Sequence, residues 1–283
     1  MPNQVIVHEL SSEQEKVQFF SEVPPKLYKY RFWEDDFHKR VLTDSELFYS
    51  SPKRFNDPYD CGIPFKQHPE NFDPVIIKQK LEANAHEIFP HLATNKSALE
   101  EECARQLFLI RQNPESWFEM NWKCRPDDLA GLFGILSLTP HPDKYLMWSH
   151  YANSHKGFCV EFDARKLVES VYGRFQKVDY VKEIPFFSIR DFEGDFVTKL
   201  IYTKSDIWDY EDEYRLSRIQ GPDVPAKFDP QALTAIYFGC KTPIEHQLEI
   251  IEVSKGNFPN VIFKKMDLDK QAFKLTEGTM IIF

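Results

Sequence analysis

The segment WDYEDEYR, residues Trp208–Arg215, combines carboxylates with a guanidinium at a spacing suited to chemistry. On a strand, Glu211, Glu213 and Arg215 share one face, because side chains alternate along an extended chain. In a cleft, one carboxylate could hold a sugar hydroxyl or stabilise an oxocarbenium-like cation, while the guanidinium pairs with the other carboxylate or with a phosphate. On a solvated face, the same residues would form ordinary ion pairs of little energetic weight.

A second polar group surrounds a proline in FNDPYD, residues Phe55–Asp60. Asp57 precedes Pro58, which favours an extended backbone and leaves the carboxylate able to reach across a cleft. Loops at strand ends commonly carry functional sites, although Asn and Asp are also the usual residues of turns. We predict that Asn56, Asp57 and Asp60 bind substrate.

A third group lies in LMWSHYANSHKG, where rings and imidazoles are concentrated. His150 and His155 are five residues apart, which does not match the four-residue step of a helical zinc site, so we predict no metal there. Trp148 and Tyr151 could stack on a flat heteroaromatic ring while an imidazole forms a hydrogen bond to it. The alternative is a buried amphipathic helix with satisfied rings.

These groups must be positioned by a sheet. KLYKYRF, residues Lys26–Phe32, alternates as a strand, with Tyr30 on one face and Lys29 and Arg31 on the other. A short helix over 33–44 and a strand at Glu46–Ser51 follow. We predict that Lys29, Tyr30 and Arg31 also contribute to the site.

The rest of the chain alternates between helical and strand patterns. Helical patterns cover 73–89 and 96–112, which we interpret as a helical insert (73–112), and a later one carries Phe192, Phe196 and Leu200. The other predicted helices are Tyr145–Asn153 and Ala164–Tyr172, and the other predicted strands are Gly134–Thr139, Gly157–Asp163, Lys177–Lys182, Tyr210–Arg218, Leu233–Phe238 and Val261–Asp267. We predict an α+β fold with a mixed, mainly antiparallel sheet, flanking helices and one domain over 1–283.

Composition limits the functional classes. The net charge of −9 disfavours a nonspecific electrostatic grip on nucleic acid or on an anionic membrane. We find no apolar run long enough to cross a bilayer and no secretory signal pattern, and we expect a cytoplasmic protein.

The five cysteines, Cys61, Cys103, Cys124, Cys159 and Cys240, include no CxxC pair, so we interpret them as buried free thiols. GxGxxG, GxxxxGK[ST] and GxSxG motifs are absent, which argues against Rossmann dehydrogenases, P-loop NTPases and α/β-hydrolases.

The motif segments together, in this order, resemble a bacterial family known as domain of unknown function 2971. The resemblance rests on Lys29 and Tyr30, on Phe55–Asp60, on Trp148–Phe158 and on Trp208–Arg215. It covers about residues 26–240. It implies no function.

The chain is also similar to the ADP-ribosyltransferase superfamily, in which two early strands and a late glutamate-bearing strand converge on NAD. Glu211, Asp212 and Glu213 look like the E-x-E of some of those enzymes, although no clear Ser-Thr-Ser element follows the first strand. The resemblance implies that Glu213 stabilises the ribose as nicotinamide leaves and that Glu211 orients the acceptor. It also implies that Tyr30 or Tyr151 stacks on the nicotinamide.

Because of this resemblance, we expect a nucleotide-binding enzyme that uses NAD as substrate, either for ADP-ribosyl transfer or for NAD hydrolysis. The sequence does not identify the macromolecule that would accept the ADP-ribose. The expected catalytic residues are Glu213, Glu211 and His150, and the expected binding residues are Lys29, Tyr30, Arg31, Asn56, Asp57, Asp60, Trp148, Tyr151, His155 and Arg215. One alternative is a hydrolase or nuclease in which Asp57, Asp60, Glu211 and Glu213 hold a divalent metal. Another is a noncatalytic small-molecule sensor or toxin-partner module.

Overall fold

The computed structural model describes residues 5–10, 12–63, 66–67, 73–83, 89–92, 94–113, 131–187, 195–219 and 221–280. Its strands are β1 (Val5–Ile6), β2 (Lys26–Arg31), β3 (Glu46–Tyr49), β4 (Lys66–Gln67), β5 (Phe133–Leu138), β6 (Phe158–Asp163), β7 (Arg174–Lys177), β8 (Asp179–Val181), β9 (Phe186–Phe187), β10 (Thr203–Ser205), β11 (Tyr214–Ile219), β12 (Val224–Lys227), β13 (Leu233–Phe238), β14 (Ile262–Leu268) and β15 (Leu275–Met280). Its α-helices are α1 (Glu13–Ser21), α2 (Asp36–Thr43), α3 (Pro74–Ala83), α4 (Lys96–Gln112), α5 (Tyr145–Tyr151), α6 (Ala164–Ser170), α7 (Asp195–Tyr202) and α8 (Ile244–Asn257).

A five-stranded sheet in the order β15-β14-β13-β6-β2 forms one half of the fold. Its neighbouring strands are antiparallel except β13 and β14, which are parallel and are connected through α8. Along β6, Phe158, Val160 and Phe162 lie in the main core, while Cys159 lies in a second cluster on the opposite face. This sheet therefore buries side chains on both faces.

A four-stranded antiparallel sheet in the order β1-β7-β11-β5 forms the other half. Two isolated bridges connect its β5 region to neighbouring elements: Thr139 pairs with Tyr28 of β2, and Ile135 pairs with Ser50 after β3. The strand β5 therefore brings β2 and the loop after β3 close together.

The main hydrophobic core contains side chains from both sheets. Phe162 and Ile236 come from the five-stranded sheet, Leu136 and Leu216 come from the four-stranded sheet, and Ile250 comes from α8. Each such side chain stabilises the fold by about 1.5–3 kcal/mol relative to exposure in water.

The predicted fold class is confirmed, because the structure is a mixed α+β fold with mainly antiparallel pairing. The predicted strand Tyr210–Arg218 is wrong in its first part. Residues Asp206–Glu211 form a 3₁₀ helix, and Asp212 has a left-handed backbone with φ of 46°, a conformation that Asp tolerates better than most residues. The strand β11 begins only at Tyr214, so Glu211 does not share a strand face with Arg215.

The bounds of the other predicted helices and strands differ less from the observed ones. The predicted strand Lys177–Lys182 divides into the end of β7, which pairs with β11, and β8, which pairs with β10 in a separate sheet. The predicted helix with Phe196 and Leu200 is described from Asp195 onward as α7, while Phe192 lies outside the described residues.

Two helices lie in the range predicted as an insert. The helices α3 and α4 contact each other, and Ile77, Cys103 and Ile110 are buried in a cluster separate from the main core. The single-domain organisation and the insert bounds stay predictions. In the described part of the chain, no helix has the length and apolar character needed to cross a bilayer.

Gly157, in the HKG segment, lies where two backbones approach closely. Its N–H donates to the carbonyl of Ala152 at 2.8 Å, and its carbonyl accepts from Thr242 Oγ1 at 2.6 Å and from the N–H of Gly239 at 3.0 Å. A Cβ on Gly157 would lie 2.1 Å from the carbonyl oxygen of Arg31. Only glycine fits here without a backbone shift.

We expect Gly157→Ala to lower the free energy of unfolding by about 1–3 kcal/mol, because the backbone must move to admit the methyl group. Gly256→Ala is the matched control, since a Cβ there meets no atom within 4 Å and alanine favours the helix α8 by up to about 1 kcal/mol. Urea unfolding followed by circular dichroism measures both variants. Equal stabilities would contradict this account of the HKG glycine.

Candidate active site

A cavity of about 150 Å³ lies where β2, β5 and the loop after β3 meet. The helix α5 and the segment from β10 to the start of β11 also contribute to its wall. The cavity therefore gathers residues from all of the segments that the sequence analysis selected. Asn56, Asp60, Tyr151, Glu211 and Glu213 are among its lining residues.

Lys204 lies at the centre of a buried group of carboxylates on the cavity floor. Its Nζ is 2.6 Å from Glu211 Oε2, 3.2 Å from Glu213 Oε2 and 3.3 Å from Asp60 Oδ2. All four side chains are at most 5% exposed. The ammonium therefore compensates charges that would otherwise repel one another at close range.

Arg215 lies beside this group and is completely buried. Its Nη2 donates to both carboxylate oxygens of Asp60 at 2.8 and 2.7 Å, and its Nε donates to Glu213 Oε1 at 2.8 Å. Nη1 donates to the carbonyl of Ile201 at 2.5 Å. The guanidinium, whose fork geometry suits two carboxylates, thus fixes Asp60 and Glu213 relative to each other.

The loop FNDPYDCG aims Asp60 at Arg215. Asp57 Oδ1 accepts from the N–H of Tyr59 at 2.9 Å, and the carbonyl of Asp57 accepts from the N–H of Asp60 at 3.1 Å. Cys61 has a left-handed backbone with φ of 56°. Asp57 therefore shapes the turn, whereas Asp60 is the carboxylate that reaches the charge cluster.

The environment moves the pKa values of the two glutamates in opposite directions. Burial alone would raise the pKa of Glu213, but Arg215 and Lys204 outweigh burial and hold that pKa well below its usual value. Burial raises the pKa of Glu211, and Lys204 only partly opposes this. Burial would lower the pKa of Lys204, but Glu213 and Asp60 raise it. Carboxylates with diverging pKa values are typical of acid–base pairs.

Aromatic side chains form much of the remaining wall. The hydroxyl of Tyr151 donates to Glu211 Oε1 at 2.7 Å, and that of Tyr30 donates to the carbonyl of His141 at 2.7 Å. Tyr28 and Phe55 complete this part of the wall. These rings give the cavity flat apolar surfaces next to its charged floor.

Lys29 reaches the cavity from β2 and differs from Lys204 in its partners. Its Nζ donates to the backbone carbonyl of Ser137 at 2.5 Å. Burial lowers the pKa of Lys29 well below its usual value, and Arg31 adds to this effect. Arg31 itself is not among the described lining residues, and its Nη1 donates to the carbonyl of Tyr30 at 3.1 Å.

Three predicted site residues in the α5 region do not line the cavity. His150 is exposed and its ring contacts Trp208, with centroids 5.9 Å apart. His155 is buried, and its Nε2 is 2.9 Å from Ser149 Oγ. Trp148 lies behind Tyr30, with centroids 5.2 Å apart. These residues do not line the cavity because the face of α5 that does so carries Met147 and Tyr151, which are four residues apart.

The cavity also contains residues that the sequence analysis missed. Lys204 is the most important, and Ser137, Thr139 and Met147 are others. The hydroxyl of Thr139 donates to the carbonyl of Glu211 at 2.6 Å and so holds the end of the 3₁₀ helix. No local signal distinguishes Lys204, because lysines are usually solvated surface residues.

One thiol contacts the charge cluster: Cys61 Sγ accepts from Arg215 Nη1 at 3.3 Å and donates to Asp60 Oδ1 at 3.5 Å. Cys61, Cys103 and Cys159 are buried and free, Cys240 is partly buried and free, and Cys124 lies outside the described residues. Burial raises the pKa of the Cys61 and Cys159 thiols, which disfavours the reactive thiolate.

Comparison with known proteins identifies the family of the segment that carries most of the cavity floor. A family model described as "Protein of unknown function (DUF2971)" matches residues 147–216, a range that includes Tyr151, Lys204, Glu211, Glu213 and Arg215. The first strand and the FNDPYD loop precede the matched range. No curated protein and no solved structure matches the chain. Residues 147–216 therefore match the DUF2971 family, the family that the motif segments resemble.

Proposed function

We propose that the protein is a nucleotide-binding enzyme that cleaves the bond between nicotinamide and ribose in NAD and passes ADP-ribose to water or to an acceptor. One observation carries the proposal: a ring-sized cavity has aromatic walls and a floor with two carboxylates whose pKa values are shifted in opposite directions. This combination suits glycosidic cleavage, in which one carboxylate faces a cation and another handles the attacking group.

Glu213 would stabilise the cationic ribose. Cleavage leaves positive charge on the ribose carbon that carried nicotinamide, and an ionised, fixed carboxylate lowers the energy of that state. The lowered pKa of Glu213 keeps it ionised, and its contacts with Arg215 and Lys204 hold it in place. Its orientation therefore needs little rearrangement during the reaction.

Glu211 would orient and deprotonate the attacking hydroxyl or water. A general base works best when its pKa lies near the working pH, and burial raises the pKa of Glu211 in that direction. The hydroxyl of Tyr151 and the ammonium of Lys204 fix its two oxygens at 2.7 and 2.6 Å.

The cavity walls fit a nicotinamide ring better than a whole dinucleotide. A volume of about 150 Å³ encloses one ring, so the ribose and phosphates would extend toward the opening. Tyr30 and Tyr151 offer ring surfaces for stacking, and the exposed Asn56 at the wall offers a carboxamide partner for the amide of nicotinamide. His150 lies outside the cavity and has no role at the reacting atoms in this proposal.

The same geometry favours NAD cleavage over the metal-dependent alternative. The ammonium of Lys204 contacts oxygens of Asp60, Glu211 and Glu213, which are the oxygens that a divalent cation would need. Asp57, the fourth carboxylate of that alternative, shapes the turn instead. A divalent metal ion at this position would therefore have to displace the ammonium of Lys204.

Purified protein incubated with NAD, with and without cell lysate, provides the test. We expect nicotinamide release, together with either free ADP-ribose or ADP-ribose attached to a lysate component, each followed by mass spectrometry. Isothermal titration with NAD measures binding separately. A protein that binds NAD without releasing nicotinamide would support the noncatalytic alternative, and a protein that neither binds nor cleaves NAD would overturn the nucleotide proposal.

A further inference from the structure

The cavity contains two lysines in contrasting environments. Lys204 Nζ contacts three carboxylates, whereas Lys29 Nζ donates to one backbone carbonyl, that of Ser137. Among the described residues, no carboxylate lies within ion-pair distance of Lys29. A lysine without a counter-ion at a partly dry wall has little to hold its positive charge.

We propose that Lys29 is a nucleophilic amine that binds small aromatic aldehydes in the cavity as imines. The geometry supports this in two ways. Lys29 lines the cavity, and one N–H bond from Nζ to the Ser137 carbonyl orients the amine without using its lone pair. The neighbouring rings, Tyr28, Tyr30 and Tyr151, give an aromatic aldehyde flat surfaces to contact.

The charged groups around Lys29 have opposite effects on the pKa of its amine. Arg31 and Arg215 disfavour its positive charge, whereas Glu213 and Glu211 favour it, and Lys204 lines the same cavity. Burial is the largest effect and lowers the pKa of Lys29, so that burial and the two arginines outweigh the two glutamates. A neutral amine is thereby populated at lower pH than on a surface lysine.

Imine formation at Lys29 needs no oxidant or reductant. The nitrogen lone pair attacks the aldehyde carbon and forms a C–N bond, and a proton moves from nitrogen to the former carbonyl oxygen. That oxygen then leaves as water, with a second proton taken from nitrogen, and a C=N bond remains. Neither NAD nor Glu213 takes part, so this inference and the proposed function stand or fall independently.

Labelling with pyridine-3-carboxaldehyde tests the inference. The intact protein is incubated with this aldehyde and sodium cyanoborohydride, which reduces any imine to a stable amine, and chymotryptic peptides are analysed by mass spectrometry over time. We expect Lys29 to be modified about tenfold faster than Lys204 or Lys26 at pH 7, because most lysines are almost fully protonated there. Lys26 is the matched comparison on the same strand, where it pairs with Glu161 at 3.2 Å.

The pH dependence provides a second readout. At ordinary surface lysines, the labelling rate rises about tenfold per pH unit below the pKa, and we expect a smaller rise at Lys29. Lys29→Arg should lose the fast-labelled peptide and keep the slow ones. If that variant fails to fold, the labelling rates of the individual lysines in the wild-type protein test the inference. A Lys29 rate no faster than that of Lys204, or with the pH rise of surface lysines, would overturn the inference.

Discussion

Glu213→Gln is expected to reduce the rate of nicotinamide release from NAD by about 100- to 1,000-fold, the usual effect of removing one preorganised electrostatic group from a transition state. Glutamine keeps the shape of the side chain and removes its negative charge. Binding of NAD should change little, because the charge on ribose that Glu213 would stabilise develops only during cleavage. The expected loss is therefore in kcat rather than in the Kd for NAD.

The matched control is Glu169→Gln on α6, where the carboxylate forms partly exposed ion pairs with Lys16 and Arg165 outside the cavity. Its rate should equal that of the wild type. Nicotinamide release is measured by mass spectrometry under single-turnover conditions, and thermal unfolding checks that both variants are folded. A folded Glu213→Gln variant with an unchanged rate would remove Glu213 from the mechanism.

Arg215→Met is expected to lower the free energy of unfolding by about 3–5 kcal/mol, because the substitution leaves buried carboxylates without their main partner. Methionine occupies a similar volume, so the effect arises from charge and not from a cavity. Asp60 loses both of its bonds from the guanidinium, and Glu213 retains only Lys204 among the cationic groups that contact it. Urea unfolding measures the change.

Two comparisons separate charge from packing in this experiment. Arg105→Met removes an exposed pair with Glu102 on α4 and should cost less than about 1 kcal/mol. Adding Asp60→Asn to Arg215→Met should restore part of the stability, since one uncompensated negative charge is removed. If the double variant is no more stable than Arg215→Met alone, the charge explanation fails.

Side-chain alternation predicted much of the fold. The strand Leu233–Phe238 has its predicted bounds, and β6 (Phe158–Asp163) lies within the predicted strand Gly157–Asp163. Period-two patterns are reliable in these strands because each face packs against a different cluster. The predicted segments also meet at one cavity, which contains Asp60, Tyr151 and Glu213.

Two features of the site depend on tertiary contacts that local patterns do not encode. The importance of Lys204 comes from three carboxylates: Glu211 and Glu213 follow it within nine residues, but Asp60 comes from a distant loop. The position of His150 depends on the rotation of a short helix, which is set by the packing of Met147 and Trp148 and not by the histidine itself. The spacing of residue types therefore identified the correct segment, α5, but did not show which of its residues face the cavity.

The charge cluster also constrains the order of events during biosynthesis. Asp60 and Arg215 are 155 residues apart in sequence, and Lys204 joins them from a third position. A nascent chain that has left the ribosome only as far as β6 contains Asp60 but none of its cationic partners. Because such non-local contacts form late, the cavity floor assembles only after β11 has been synthesised. The charge cluster around Glu213 is therefore complete only in chains whose translation has passed this strand.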